Sequence, residues 1–184
     1  MNIRRAVPSE SRQIVPLVYR AIHEIAYTLT ATTNLNLVFD RLDMWVKQTD
    51  NRLSYENMWV AEACGAIVGV VISYHGLAAE RLDEPIQAWL RSQGSEDRLD
   101  VETGGDVLYI DSLAVDEHYV GKGIGTQLIQ QVVRDAQARD IPAVTLNVDQ
   151  TNQAAMKLYI RLGFQKLQEI EICGERFDYM SRTC

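Results

Sequence analysis

The sequence predicts a mixed α/β sheet with helices on both faces. Three observations predict it. β-rich runs and helical-period segments alternate in the order β-α-α-β-β-β-α-β-α-β-β. A length of 184 residues fits one domain, 1–184, with a sizeable core. Between a late strand and a helix stands "VGKGIG", residues 120–125, a glycine turn of the kind whose bare amides cradle phosphate.

The elements follow in order. Asn2 to Arg5 reads as the first strand. "VPSES" then starts a helix with Ser9 as N-cap, and Ile14, Leu17, Val18, Ala21, Ile22 and Ile25 keep helical spacing. A second helix is expected over Leu37–Lys47, with Leu42, Trp45 and Val46 turned inward. Met58–Ala63 and Ile67–Tyr74 flank Gly65 as a hairpin. Residues 76–106 are polar and acidic, with one short helix near Pro85–Arg91. Eight acids and three bases between Glu80 and Asp106 carry five of the seven net negative charges. This stretch has too few apolar residues for its own core and reads as an insertion between strands. Val107–Val115 is the next strand. A helix with the stripe Leu128, Ile129, Val132, Val133 and Ala136 follows the glycine turn. Ala143–Val148 is a strand. Residues 151–162 form a helix stopped by Gly163, and Gln165–Ile172 and Glu175–Met180 close the sheet.

Composition narrows the function classes. A net charge of -7 argues against a general nucleic-acid binder and is compatible with a cationic substrate. No charged start followed by an apolar stretch suggests a leader, and the longest central apolar run is too short to span a bilayer, so a cytoplasmic protein is expected. Cys64, Cys173 and Cys184 are an odd count without metal-ligand spacing and read as reduced passengers. His23, His75 and His118 are scattered, and no HExxH or similar metal spacing occurs.

The glycine turn fails two common phosphate patterns. A P-loop would need glycine at Asp116 and Ser or Thr at Gly123, and a dinucleotide fingerprint would need glycine at Thr126. What remains is a helix N-terminus whose amides and dipole favour an anion, with three missing side chains that let a diphosphate approach.

Two segments together, "DSLAVDEHYVGKGIGTQLI" and "LNVDQTNQAAMKLYIRLGF", resemble the GNAT N-acetyltransferases. The family pattern [RQ]-x-x-G-x-[GA] is met at Gly123 and Gly125, while Val120 stands where Arg or Gln is usual. The pattern N-x-x-A-x-x-L-Y-x-x-x-G-F is met at Asn152, Ala155, Leu158, Tyr159, Gly163 and Phe164. The resemblance extends over nearly the whole chain, and "RLSYENMWVAEACGAIVGVVISY" with the acidic insertion points to one bacterial branch.

The resemblance implies the GNAT fold, in which a parallel strand pair splays apart and the pantetheine arm of acetyl-CoA lies in the gap. It places backbone groups of Leu113 and Val115 on the arm, with one of their amides as oxyanion donor. It places the diphosphate on Val120, Gly121, Lys122, Gly123, Ile124, Gly125 and Thr126. Asn152, with Ala155 one helical turn on, reaches the pantetheine or a water. Acetyl-CoA enters as acyl donor, and no metal is expected. Tyr159 is the candidate general acid beside the sulfur, against a role in core packing.

Asp111 is the candidate base, through water. Strand parity would set Tyr109, Asp111, Leu113 and Val115 on one face. A structural carboxylate bonded to an amide or Arg, or a partner for the acceptor's ammonium, stays open, with Glu56 and Glu62 as weaker bases. Tyr55, Trp59 and Trp89 line the acceptor pocket or anchor the core. Lys122 is solvated or near phosphate. The implied function is acetyl transfer to a primary amine of a small molecule or peptide. The acidic insertion suggests a cation, so neutralising Asp97, Asp100 and Glu102 together should raise its KM. A non-catalytic acyl-CoA sensor and a transferase for longer acyl groups remain alternatives. A homodimer fits the family, without an interface signature here.

Overall fold

The computed structural model describes residues 1–184. Its elements are β1 (Asn2–Arg5), α1 (Ser11–Ile22), α2 (Ile25–Thr30), α3 (Leu35–Lys47), β2 (Met58–Ala63), β3 (Ala66–His75), α4 (Ala79–Ser92), β4 (Leu108–Val115), α5 (Ile124–Ala138), β5 (Ala143–Asp149), α6 (Gln153–Arg161), β6 (Gln165–Ile172) and β7 (Glu175–Thr183). The strands form one sheet ordered β1-β2-β3-β4-β5-β7-β6. The interior strand β3 is an apolar run buried on both faces, as a strand covered from two sides must be. On one face α1, α3 and α4 bury Ile14, Val18, Leu42, Trp45, Ile86 and Leu90. On the other, α5 buries Leu128, Ile129, Val132 and Val133, joined by Tyr159 of α6.

Local chemistry sets the boundaries. The β2–β3 turn puts Cys64 at φ 51° and Gly65 at φ 78°, the double left-handed conformation of a two-residue hairpin loop. Asn34 caps α3, its side chain accepting from Asn36 and Leu37 amides, so that helix starts two residues before the expected Leu37. Ser9 is not a cap: it lies inside a 3-10 turn, Pro8–Glu10, where Glu10 accepts from the Val7 amide instead. Ile25 does not continue α1, because His23 at φ 44° breaks the helix and α2 begins beyond it. The helix expected near Pro85 is twice as long, with Pro85 inside it. The buried stripe Ala79, Leu82, Ile86 and Leu90 outweighs the hydrogen bond that Pro85 removes.

Two irregularities in β4 build the site. β4 is parallel to β5 over three pairs only, Leu108 with Val144, Tyr109 with Thr145 and Ile110 with Leu146. Beyond Ile110 it stays paired with β3, while β5 continues against β7, so the two strands part. The second is a bulge. Ile72 pairs with Ser112 and Ser73 with Ile110, which leaves Asp111 as the extra residue. The bulge overturns the expected parity. Tyr109 and Ala114 pack in the α1–α4 core, but Leu113 and Val115 pack against the α5 side.

Candidate active site

β4 runs toward the glycine turn and ends just before it. Its free edge, from Asp111 to Val115, therefore leads from the apex of the split to the N-terminus of α5. There Gly121 at φ 80° and Gly123 at φ 77° hold the left-handed backbone that glycine adopts freely. A Cβ at either would meet nothing within 4 Å, so the space before the turn is open. The amides of Gly121, Gly123, Ile124, Gly125 and Thr126 have no protein acceptor. Unpaired amides at a helix start form an anion cradle. Val120 is 67% exposed at its rim. Lys122 turns back: its Nζ donates to the His118 carbonyl at 2.9 Å and lies 4.4 Å from the Tyr119 ring.

Gly125 ties the cradle to the rest. A Cβ there would lie 3.8 Å from both Leu113 and Val115 and 3.9 Å from Leu158, so β4, α5 and α6 converge at that point. Asn152 caps α6, its Oδ1 accepting from the Ala155 amide at 3.0 Å, while its Nδ2 keeps no protein acceptor. Tyr159 sits on the same α5 side of the sheet, edge-on to Phe164 with ring centroids 5.9 Å apart. Its hydroxyl has no protein partner, and burial pushes its pKa up to about 12, so it stays protonated.

The other side of the apex holds a buried polar cluster. Arg52, from the α3–β2 loop, is ion-paired with Asp111 and with Glu102 at 2.7 Å, and lies 3.4 Å from Asp83. Tyr74 donates to Asp111 Oδ1 and Ser112 to its Oδ2, both at 2.8 Å. Tyr109 donates to Glu102 at 2.7 Å. Asn147 Nδ2 donates to the Tyr109 hydroxyl at 2.9 Å and to the Glu102 carbonyl at 3.0 Å. Burial opposes the charge on Arg52, yet Asp111 and Glu102 hold its pKa well above the ordinary value. Burial pushes Tyr74 and Tyr109 up, and it pushes Asp83 up to about 6. Arg52, Asp83 and Asn147 escaped the sequence reading because they lie far from Asp111 along the chain. The one available signal was Asp111 itself: a carboxylate inside a strand needs a cation.

The remaining candidates disperse. Asp97 is held in an exposed turn by Ser95, Asp100 accepts from the Cys173 amide at 2.8 Å, and only Glu102 points into the cluster. The three do not form one acidic surface, and the joint neutralisation would break an Arg52 contact as well. Glu62 pairs with Arg4, and Glu56 is exposed. Trp89 is packed edge-on against Trp45, Trp59 lies under Arg5, and Tyr55 is half-buried against the α1–α4 core. Cys64, Cys173 and Cys184 are free and exposed, with Cys173 in the β6–β7 turn. No helix is long and apolar enough to cross a membrane.

Known proteins share this architecture. A crystal structure of an acetyltransferase, 27% identical, covers 100% of this chain and 99% of its own with a TM-score of 0.81. N-alpha-acetyltransferase 30 of Xenopus laevis is 45% identical over 56 residues, 30% of this chain and 20% of its own length. A probable spermine N(1)-acetyltransferase of Bacillus subtilis subsp. natto is 30% identical over 70 residues, 38% of this chain and 46% of its own length. The chain thus matches less than half the length of these curated relatives. The family profile described as "Acetyltransferase (GNAT) family" matches residues 22–164, most of the chain, and with the splayed β4–β5 pair and the α5 cradle in place the chain belongs to that family.

Proposed function

We propose that the chain transfers an acetyl group from acetyl-CoA to the primary amine of a small molecule or peptide. The observation that carries this reading is the set of bare amides at Gly121 and Gly123–Thr126, placed where the free edge of β4 ends, with Tyr159 in the α5-side core against which Leu113 and Val115 pack. The diphosphate would rest on the amides, and the pantetheine amides would pair with Leu113 and Val115 as an added strand. The amine nitrogen attacks the thioester carbon, the C–S bond breaks, and the Tyr159 hydroxyl gives its proton to the leaving thiolate. The amine's proton leaves through water to Asp111 Oδ2, which carries only the Ser112 hydroxyl. Exposed reduced thiols at three cysteines suit the cytoplasm.

The testing experiment is mass detection of acetylated product from acetyl-CoA and a panel of polyamines, amino acids, aminoglycosides and lysine peptides. Acetylation of one class supports the reading. If acetyl-CoA raises the melting temperature but no amine is acetylated, the reading gives way to a cofactor sensor. Gly123→Ala is expected to weaken acetyl-CoA binding at least tenfold by calorimetry, because its methyl enters the cradle. The left-handed φ of 77° would also cost about 1 kcal/mol of stability. Unchanged affinity would remove the cradle from the account.

A further inference from the structure

The apex of the split is closed on the face away from α5. Asp111 is the base in the reading above, yet its side chain is 3% exposed. Thr145, the register partner of Tyr109, is 1% exposed. Neither an amine nor a water reaches these groups in the closed position. What lies over them is residues 96–103, a strap between α4 and β4 with no helix or strand of its own. Its Glu102 side chain bonds Arg52 and Tyr109, each at 2.7 Å, and the Glu102 carbonyl accepts from Asn147 Nδ2 at 3.0 Å.

The strap is weakly held. Glu96, Asp97, Arg98, Asp100 and Val101 are exposed, and of its apolar residues Leu99 alone packs on the α1–α4 core. Gln87 clamps one end, its Nε2 donating to the Asp97 carbonyl at 2.7 Å and its Oε1 accepting from the Leu99 amide at 3.0 Å. Asp100 accepts from the Cys173 amide at 2.8 Å. At the other end stand Gly104 and Gly105, where an added Cβ would meet nothing within 4 Å. Just beyond them the chain is fixed, because the Val107 carbonyl accepts from the Gly76 amide at 2.8 Å. A junction of free and fixed backbone is where a hinge turns. The closed position also leaves polar groups unsatisfied. Thr103 Oγ1, Thr145 Oγ1 and Asn147 Oδ1 are buried without a hydrogen-bond partner, and lifting the strap would give them water. Glu102 shares one guanidinium with Asp83 and Asp111. Its departure to water relieves like-charge crowding and leaves Arg52 paired.

We propose that residues 96–103 are a gate over the apex, turning at Gly104–Gly105, and that the acceptor amine enters from this face when the gate lifts. The role in admitting the amine rests on the acetyltransfer reading above; the motion itself does not.

The experiment has two arms. The first replaces Cys64, Cys173 and Cys184 with Ser and measures iodoacetamide labelling of Thr145→Cys, under the strap, against Val132→Cys, buried beneath α5. Melting temperature is the folding check. A lifting gate predicts labelling of Thr145→Cys at least about a hundredfold faster, because its opening needs only local rupture. Equal rates overturn the inference. If Thr145→Cys fails to fold, Thr103→Cys serves in the same comparison. The second arm locks the gate. Asp100→Cys, with Cys64→Ser and Cys184→Ser, faces the native Cys173, whose thiol lies beside the Asp100 carboxylate. Oxidation to the disulfide should lower kcat/KM for the acetylated amine at least about tenfold, with acetyl-CoA affinity unchanged by calorimetry, and dithiothreitol should restore it. An oxidised protein as active as the reduced one overturns the gate. If the wild type acetylates no amine, the acetyltransfer reading has failed and the gate loses that role. The labelling ratio then supports or overturns the motion alone.

Discussion

Replacing Arg52 with Met is expected to destabilise the fold by about 3–5 kcal/mol at neutral pH. The substitution keeps the buried volume but leaves Asp83, Glu102 and Asp111 without their cation, and an uncompensated buried charge costs that much. The loss should depend on pH in a definite direction. Burial already makes Asp83 bind its proton more tightly in the folded protein than in the unfolded chain, and losing Arg52 removes the charge that opposes this. Stability from such a group is fully present below its unfolded value near 4 and is lost as pH rises through its folded value. Asp83, already pushed up to about 6 in the wild type, marks where that loss falls. The gap between Arg52→Met and the wild type should therefore widen from pH 5 to pH 8 in chemical denaturation. A gap that is small or independent of pH would mean that the cluster does not bear on the fold.

Tyr159→Phe is expected to lower kcat about a hundredfold or more while leaving acetyl-CoA affinity and stability nearly unchanged. The ring, packed on Phe164 in the α5-side core, is retained. The hydroxyl makes no hydrogen bond in the protein, so its removal strands no partner. Because the phenol holds its proton up to about pH 12, its loss should not appear in the wild-type rate profile below pH 10. A Phe variant with wild-type kcat would return Tyr159 to packing alone.

The sequence carried some of this structure and hid the rest for physical reasons. Strands, the glycine turn and the helix through Tyr159 are local, since alternation, three glycines and a capping Asn each act within a few residues. The bulge at Asp111 is not local. It arises from register against β3, and one extra residue reversed the predicted face of Leu113 and Val115. The Arg52 cluster is less local still, joining a loop, α4, the segment before β4 and β5 through side chains 9 to 59 residues distant from Asp111. Nor did charge counting find it. Four of the eight acids between Glu80 and Asp106 form ordinary surface contacts, such as Glu84 with Arg91, whereas Asp83 and Glu102 turn inward.

The most direct test of the central claim is an initial-rate matrix of CoA thiol release, varying acetyl-CoA and the amine together. Direct attack within a split that holds both substrates predicts intersecting double-reciprocal lines and CoA release that requires the amine. Parallel lines would indicate an acetylated enzyme intermediate and contradict the account, as would release that ignores the amine.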